Sequence, residues 1–173
     1  AVRNWALGVV LMLAMLAAPA AHARELKVLV MGDSLSAAYG LRADQGWVPL
    51  ADAKSARYAF HNASLSGETS AGGRSRIAAE VRRVRPDIVV IELGANDGLR
   101  GLPLVQLGAN LGWMIGTAQA AGARVLLVGL QLPPNFGRYA TDFQRSYVLL
   151  SQRLGTGLVP HFFGGSLSGQ VLV

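Results

Sequence analysis

PDIVVIELGANDGLRG, residues 86–101, is the stretch on which the reading of this chain turns. Pro86 disfavours a helical residue before it, so a helix arriving from the N-terminal side stops at Arg85. Ile88, Val89, Val90 and Ile91 then run together without alternation, the pattern of a strand buried on both faces of a sheet. Asp87–Leu93 is therefore read as a strand. Gly94-Ala95-Asn96-Asp97-Gly98 follows at once as a small, polar loop.

The same grammar extends in both directions. Leu26–Met31 reads as a buried strand ended by Gly32, and Trp47–Arg57 has helical spacing that leads into a weaker strand at Tyr58–Asn62. Arg74–Arg85 is read as an amphipathic helix, with Ile77, Val81 and Val84 on its apolar side. Leu104–Ala121 is a helix ended by Gly122, and Arg124–Leu130 is another continuous apolar strand. Asp142–Leu154 is helical, and Gly155–Gly157 turns into a fifth strand at Leu158–Val159. Alternating strands and helices predict an α/β fold with a parallel sheet covered by helices on both faces. In such a sheet the functional site lies beyond the carboxyl ends of the strands.

Composition narrows the classes. The 173 residues suffice for one domain with a core. With 51% apolar and 15% charged residues the chain is not disordered. It contains no cysteine, which excludes disulfides, thiolate metal sites and a Cys nucleophile. The net charge of +6 is mostly arginine, clustered only at Arg74, Arg76, Arg82, Arg83 and Arg85. That cluster is read as the solvated face of a helix, and no nucleic-acid partner is expected. No two His stand at ligand spacing and no phosphate-binding glycine motif follows the first strand, so neither metal nor cofactor is expected.

Residues 1–23 read as a signal peptide: Arg3, an apolar run from Trp5 to Ala18, Pro19, and Ala21-His22-Ala23 as a cleavage site. The domain is then 24–173, periplasmic or secreted, with no stable membrane span after cleavage.

Three polar loops follow strands and should meet at one edge of the sheet: Gly32-Asp33-Ser34-Leu35-Ser36, Asn62-Ala63-Ser64-Leu65-Ser66-Gly67-Glu68-Thr69, and Gly94-Ala95-Asn96-Asp97-Gly98. Ser34 is a candidate nucleophile, though a Ser after a strand also serves as a turn former or helix cap. Gly67 allows close approach of its N–H to a substrate, and turn geometry is its alternative use. Asn96 could donate to an oxyanion or simply shape a Gly-rich turn. Asp33 and Asp97 are read as loop-fixing residues that bond nearby backbone N–H groups.

In these three blocks the chain resembles the GDSL or SGNH hydrolases, in particular their secreted bacterial thioesterase, lysophospholipase and arylesterase branch. Gln131-Leu132-Pro133-Pro134-Asn135-Phe136-Gly137 and Val159-Pro160-His161-Phe162-Phe163 add to the resemblance, which runs from about Leu26 to Phe163. It implies a three-layer α/β/α fold, a flavodoxin-like parallel sheet of about five strands. It also implies Ser34 as nucleophile and oxyanion N–H, Gly67 as a second backbone donor and Asn96 as the side-chain donor. The substrate would be an acyl ester or thioester, small or lipidic, and the protein a monomer.

The family completes its triad with Asp-x-x-His. Here the residues three before His22, His61 and His161 are Pro19, Tyr58 and Leu158. His61 is read as a strand-end His, and His161 lies at the carboxyl edge of the fifth strand. The expectation is a C-terminally truncated hydrolase domain, lacking its closing helix and with little activity. The alternative is a non-catalytic acyl- or glycan-binding protein that keeps the pocket. Trp47, Leu102, Pro133, Pro134, Phe136 and Tyr139 are candidates for an acyl groove.

Overall fold

The computed structural model describes residues 24–160 and Phe162. The segment read as a signal (1–23), His22, His161 and residues 163–173 lie outside the described residues. Five strands form one sheet: β1 (Leu26–Gly32), β2 (Tyr58–Asn62), β3 (Ile88–Glu92), β4 (Arg124–Val128) and β5 (Gly157–Val159). All neighbours are parallel, in the order β2-β1-β3-β4-β5. The chain winds outward from β1 to β2, then crosses back to β3 and proceeds the other way. The sheet therefore has its reversal point between β1 and β3, where a crevice opens at the carboxyl ends. Gly32 is paired with Glu92 across that junction, so the loops that follow leave the sheet side by side.

Alternate residues of the strands feed two apolar layers. Leu29, Met31, Val89, Ile91, Val125 and Leu127 face the larger layer, which is covered by α2 (Ser70–Val84), α4 (Leu104–Ala120) and α5 (Gly137–Leu154). Ile77, Leu111, Met114, Ile115 and Phe143 are its fully buried helical contributions. Each such side chain stabilises the fold by about 1.5–3 kcal/mol relative to exposure. Val28, Val30, Val90 and Val128 face the opposite side, where α1 (Trp47–Ala53) packs through Val48 and Trp47. An apolar groove of about 410 Å3 remains over Ile88, Val90, Leu126 and Val159 on that face. Among the described residues no helix is long and apolar enough to cross a membrane.

Three helix boundaries depart from the sequence reading. The basic helix begins at Ser70 rather than Arg74, because Thr69 caps it by accepting from the Gly72 N–H. Gly73 falls within the added turn, where the helix lies so close to the sheet that a Cβ would be 2.3 Å from the Leu93 side chain. Helix α1 ends at Ala53 rather than Arg57, since Ser55 and Asp52 side chains take the N–H groups of Arg57, Tyr58 and Phe60 into a turn. Helix α5 begins at Gly137 rather than Asp142, entered from the single turn Pro134–Phe136. The short helix α3 (Ala95–Leu99) holds what the sequence reading took as loop.

Candidate active site

The loops after β1 and β3 flank the reversal point, and a cavity of about 620 Å3 lies between them. Ser34 and Asn96 share its wall with Leu99, Leu132, Pro133 and Phe162. Ser34 follows β1 directly, half-buried, in a turn fixed on both sides. Asp33 Oδ1 accepts from the Leu35 N–H at 3.0 Å, and Tyr39 N–H donates to the Ser34 carbonyl at 3.0 Å.

Asn96 lies in the first turn of α3. Its Nδ2 donates to the Glu68 carbonyl at 2.9 Å and faces Asp33 Oδ2 at 3.4 Å. The second loop is thus tied to the third through Asn96, and to the first by the Leu65 N–H donating to the Gly32 carbonyl at 3.0 Å. Gly67 precedes the carbonyl that Asn96 holds. It has φ +78°, and no atom lies within 4 Å of a Cβ placed on it, so the backbone conformation rather than space calls for glycine. Ser34 and Asn96 come together in the cavity wall; Gly67 lies beside them in the loop rather than in the wall.

Asp33 and Asp97 do more than fix their own loops. Asp97 accepts from both the N–H and the hydroxyl of Ser70, at 2.8 and 2.5 Å, joining the start of α2 to α3. Asn110 of α4 completes this buried group by donating to Ser70 Oγ. Burial raises the pKa of the Asp33 carboxyl, partly offset by the Leu35 N–H, and the charge of Glu68 adds to the rise. Arg76, read as part of a solvated face, instead folds under the second loop, pairing with Glu68 and donating to the Ala63 carbonyl.

A buried acid beneath the Ser34 turn escaped the sequence reading. Glu92 ends β3 with no exposed surface, and its Oε2 accepts from the Ser36 hydroxyl at 2.7 Å. Ser36 Oγ accepts in turn from Trp47 Nε1 at 3.0 Å. Among the described residues, Glu92 Oε1 has no hydrogen-bond partner. Gly32 makes this packing possible, since a Cβ there would sit 2.7 Å from Ser36 and 2.8 Å from Glu92. Burial and the neighbouring Asp33 charge push the Glu92 pKa from 4.5 up to about 7, against the pull of hydrogen bonds from Ser36. The one available signal was a charged residue closing an otherwise apolar strand.

The raised value fixes the sign of a pH effect. The folded chain keeps a proton that the unfolded chain releases above 4.5. Stability from this group is complete below that pH and is lost as pH rises through about 7, on the order of 3 kcal/mol. Glu92→Gln removes the charge and keeps an acceptor for Ser36. Its melting temperature should exceed that of the wild type by several degrees at pH 8, and the gain should vanish near pH 4.5. Equal differences at both pH values would contradict the assignment.

Other sequence candidates fall elsewhere. Pro133 and Pro134 line the cavity, but Trp47 lines the groove on the sheet face. The Tyr139 hydroxyl donates to the Leu102 carbonyl at 2.6 Å, and Phe136 packs against Tyr139. His61 sits in edge strand β2 opposite Leu29, and among the described residues no histidine lines the cavity.

Sequence comparison agrees with this architecture. Esterase TesA of Pseudomonas aeruginosa is 50% identical over 143 residues, covering 80% of this chain and 71% of that protein. The Escherichia coli thioesterase 1/protease 1/lysophospholipase L1 is 38% identical over 137 residues, covering 78% of this chain and 66% of that protein. Among solved structures, the psychrotrophic esterase EstA of Pseudoalteromonas sp., inhibited by monoethylphosphonate, superposes with a TM-score of 0.76. It is 41% identical and covers 80% of this chain and 78% of its own. The pattern of the GDSL-like lipase/acylhydrolase family matches residues 30–154, from within β1 to the end of α5, and the chain belongs to that family.

Proposed function

We propose that this chain is a carboxylic-ester and thioester hydrolase that works through an acyl-enzyme on Ser34. The Ser34 hydroxyl oxygen attacks the acyl carbon as its proton passes to a base. The N–H groups of Ser34 and Gly67 and the amide of Asn96 stabilise the oxyanion. Collapse expels the alcohol or thiol, which takes up the proton, and water then releases the acid by the same route. The observation that carries this reading is the convergence of Ser34 and Asn96 on one cavity wall at the reversal point of the sheet. One N–H of the Asn96 amide is held by Glu68, which orients the group. The other donates to Asp33 Oδ2 over a longer 3.4 Å, the bond it would exchange for the oxyanion.

A serine hydroxyl needs a base at neutral pH, and no His in the sequence follows an Asp at the Asp-x-x-His spacing. We therefore expect slow turnover from these 173 residues. The domain reading of 24–173, the periplasmic or secreted location, and a monomeric state belong to the same proposal. p-Nitrophenyl butyrate and an acyl thioester provide the test. Hydrolysis above the buffer rate should disappear in Ser34→Ala at unchanged melting temperature, whereas an equal rate in that variant would overturn the reading.

The missing Asp-x-x-His pattern favours one second reading: an acyl- or glycan-binding protein that retains the pocket. That reading requires saturable ligand binding with no reaction at Ser34.

A further inference from the structure

Glu92 and Ser36 are both fully buried, and neither takes part in the chemistry assigned to Ser34. Their place in the chain gives the contact between them a consequence. Gly32 and Glu92 stand opposite each other where β1 and β3 pair, so both strands end on one rung of the sheet. Ser34 lies two residues beyond that rung on one side, and Asn96 four residues beyond it on the other. The distance between nucleophile and oxyanion donor therefore depends on what ties the two segments together past the last strand pairing.

Among the described residues, two side-chain bonds cross that gap. The contact from Asn96 to Asp33 is long, at 3.4 Å, and is the one given up to the oxyanion. The other is short: the Ser36 hydroxyl donates to Glu92 Oε2 at 2.7 Å. Its direction is fixed, because Trp47 Nε1 donates to Ser36 Oγ at 3.0 Å and an indole N–H can only donate. The single hydroxyl proton is left for Glu92. Asn62 Nδ2 adds a tie from the second loop by donating to the Ser36 carbonyl at 2.8 Å. Ser36 is thus anchored to β3, to α1 and to the end of β2, while Ser34 two residues earlier lines the cavity.

We propose that Glu92 is a positioning residue for acyl transfer: through Ser36, itself held by Trp47, it braces the Ser34 turn against β3 and sets the spacing of Ser34 and Asn96. This rests on the hydrolase reading, which supplies the roles of those two residues. A pair that only satisfied two buried polar groups would affect stability alone, whereas a brace also controls reactivity.

Ser36→Ala removes the bridging hydroxyl and Glu92→Leu the acceptor. Glu92→Gln keeps an acceptor in the shape of the neutral acid, the form that burial and the Asp33 charge favour. Each full chain is reacted with a fluorophosphonate at fixed pH and imidazole concentration, and the saturating rate is separated from the half-saturating concentration. Ser36→Ala and Glu92→Leu should lower the saturating rate on the order of 10–100-fold, as for reacting groups displaced by ~1 Å, and leave half-saturation within about twofold. Glu92→Gln should stay within about threefold of the wild type. Asn96→Ala made in the Ser36→Ala chain should cost roughly tenfold less than in the wild type, since a donor out of register has less to lose. Gly122→Ala, destabilised before β4 at the opposite edge of the sheet, should react at the wild-type rate.

An unchanged saturating rate in Ser36→Ala, a Glu92→Gln chain as slow as Glu92→Leu, an equal loss in Gly122→Ala, or full additivity of Asn96→Ala with Ser36→Ala would overturn the proposal. Amide hydrogen exchange reads the brace without any reaction. The N–H groups of Ala37 and Tyr39, bonded to the Asp33 and Ser34 carbonyls at 2.9 and 3.0 Å, should exchange faster in Ser36→Ala and at the wild-type rate in Glu92→Gln. A reactive Ser34 whose rate ignores Ser36→Ala removes the brace alone. A Ser34 inert in the wild type removes the hydrolase reading, and unchanged exchange at Ala37 and Tyr39 in Ser36→Ala then removes the brace as well.

Discussion

Gly94→Ala should cost the fold on the order of 4 kcal/mol and lower the melting temperature by about 10 °C. Gly94 links β3 to α3 with φ +123°, a region that L side chains rarely adopt. Space is equally prohibitive. A Cβ at this position would lie 2.1 Å from the Tyr147 hydroxyl and 3.0 Å from Leu107. Tyr147 is 1% exposed, and its hydroxyl donates to the Leu93 carbonyl at 2.9 Å. Making room means displacing a buried aromatic ring from α5 and losing its hydrogen bond, each worth about 1–3 kcal/mol. Gly122→Ala is the control. It also has positive φ (+84°), but nothing lies within 4 Å of its Cβ, so only the backbone cost of about 1 kcal/mol applies. Thermal unfolding followed by circular dichroism separates the two. Equal losses would mean that the packing of Tyr147 beneath the third loop has been misread.

The second large effect falls on reactivity. Asn96→Ala should slow phosphonylation of Ser34 by about 10²–10³-fold, the equivalent of ~2.7–4 kcal/mol for one oxyanion donor. The cost in stability should be far smaller. Removing the amide leaves the Glu68 carbonyl without its partner, a part-buried group whose loss is worth about 1 kcal/mol. A large drop in labelling rate beside a small drop in melting temperature is therefore the signature expected. Comparable losses in both would make Asn96 a structural tie between the second and third loops and nothing more. A rate within about threefold of the wild type would remove it from the oxyanion account.

Which parts of this protein were legible in its sequence follows from the range of the interactions involved. The central strands announce themselves by the continuous apolar runs Val28–Met31, Ile88–Ile91 and Val125–Val128, since the sheet buries them on both faces. Edge strand β2 carries His61 and Asn62 and gives the weaker signal. That the loops after β1, β2 and β3 share one edge follows from parallel topology alone. Ser34 and Asn96 do share a wall, as that geometry requires. The contacts that fix the loops were not legible, because their partners lie far along the chain. Asp97 reaches back to Ser70, and Arg76 folds under the second loop to reach Ala63 and Glu68. Glu92 could be seen only as a charge at a strand end; its burial depends on Gly32 and Ser36 of another strand and loop. The cavity wall was half legible. Pro133 and Pro134 were found, whereas Leu99 and Phe162 needed the fold to bring them there.

The central claim is that Ser34 is a nucleophile facing an oxyanion pocket, and reaction with a fluorophosphonate tests it most directly. The full chain, incubated with the probe and digested, should yield one phosphonylated peptide containing Ser34. The adduct should be absent from Ser34→Ala, slowed in Asn96→Ala and accelerated by added imidazole acting as the base. Modification elsewhere, or an unmodified Ser34 at every imidazole concentration, would contradict the account and leave a cavity that binds without reacting.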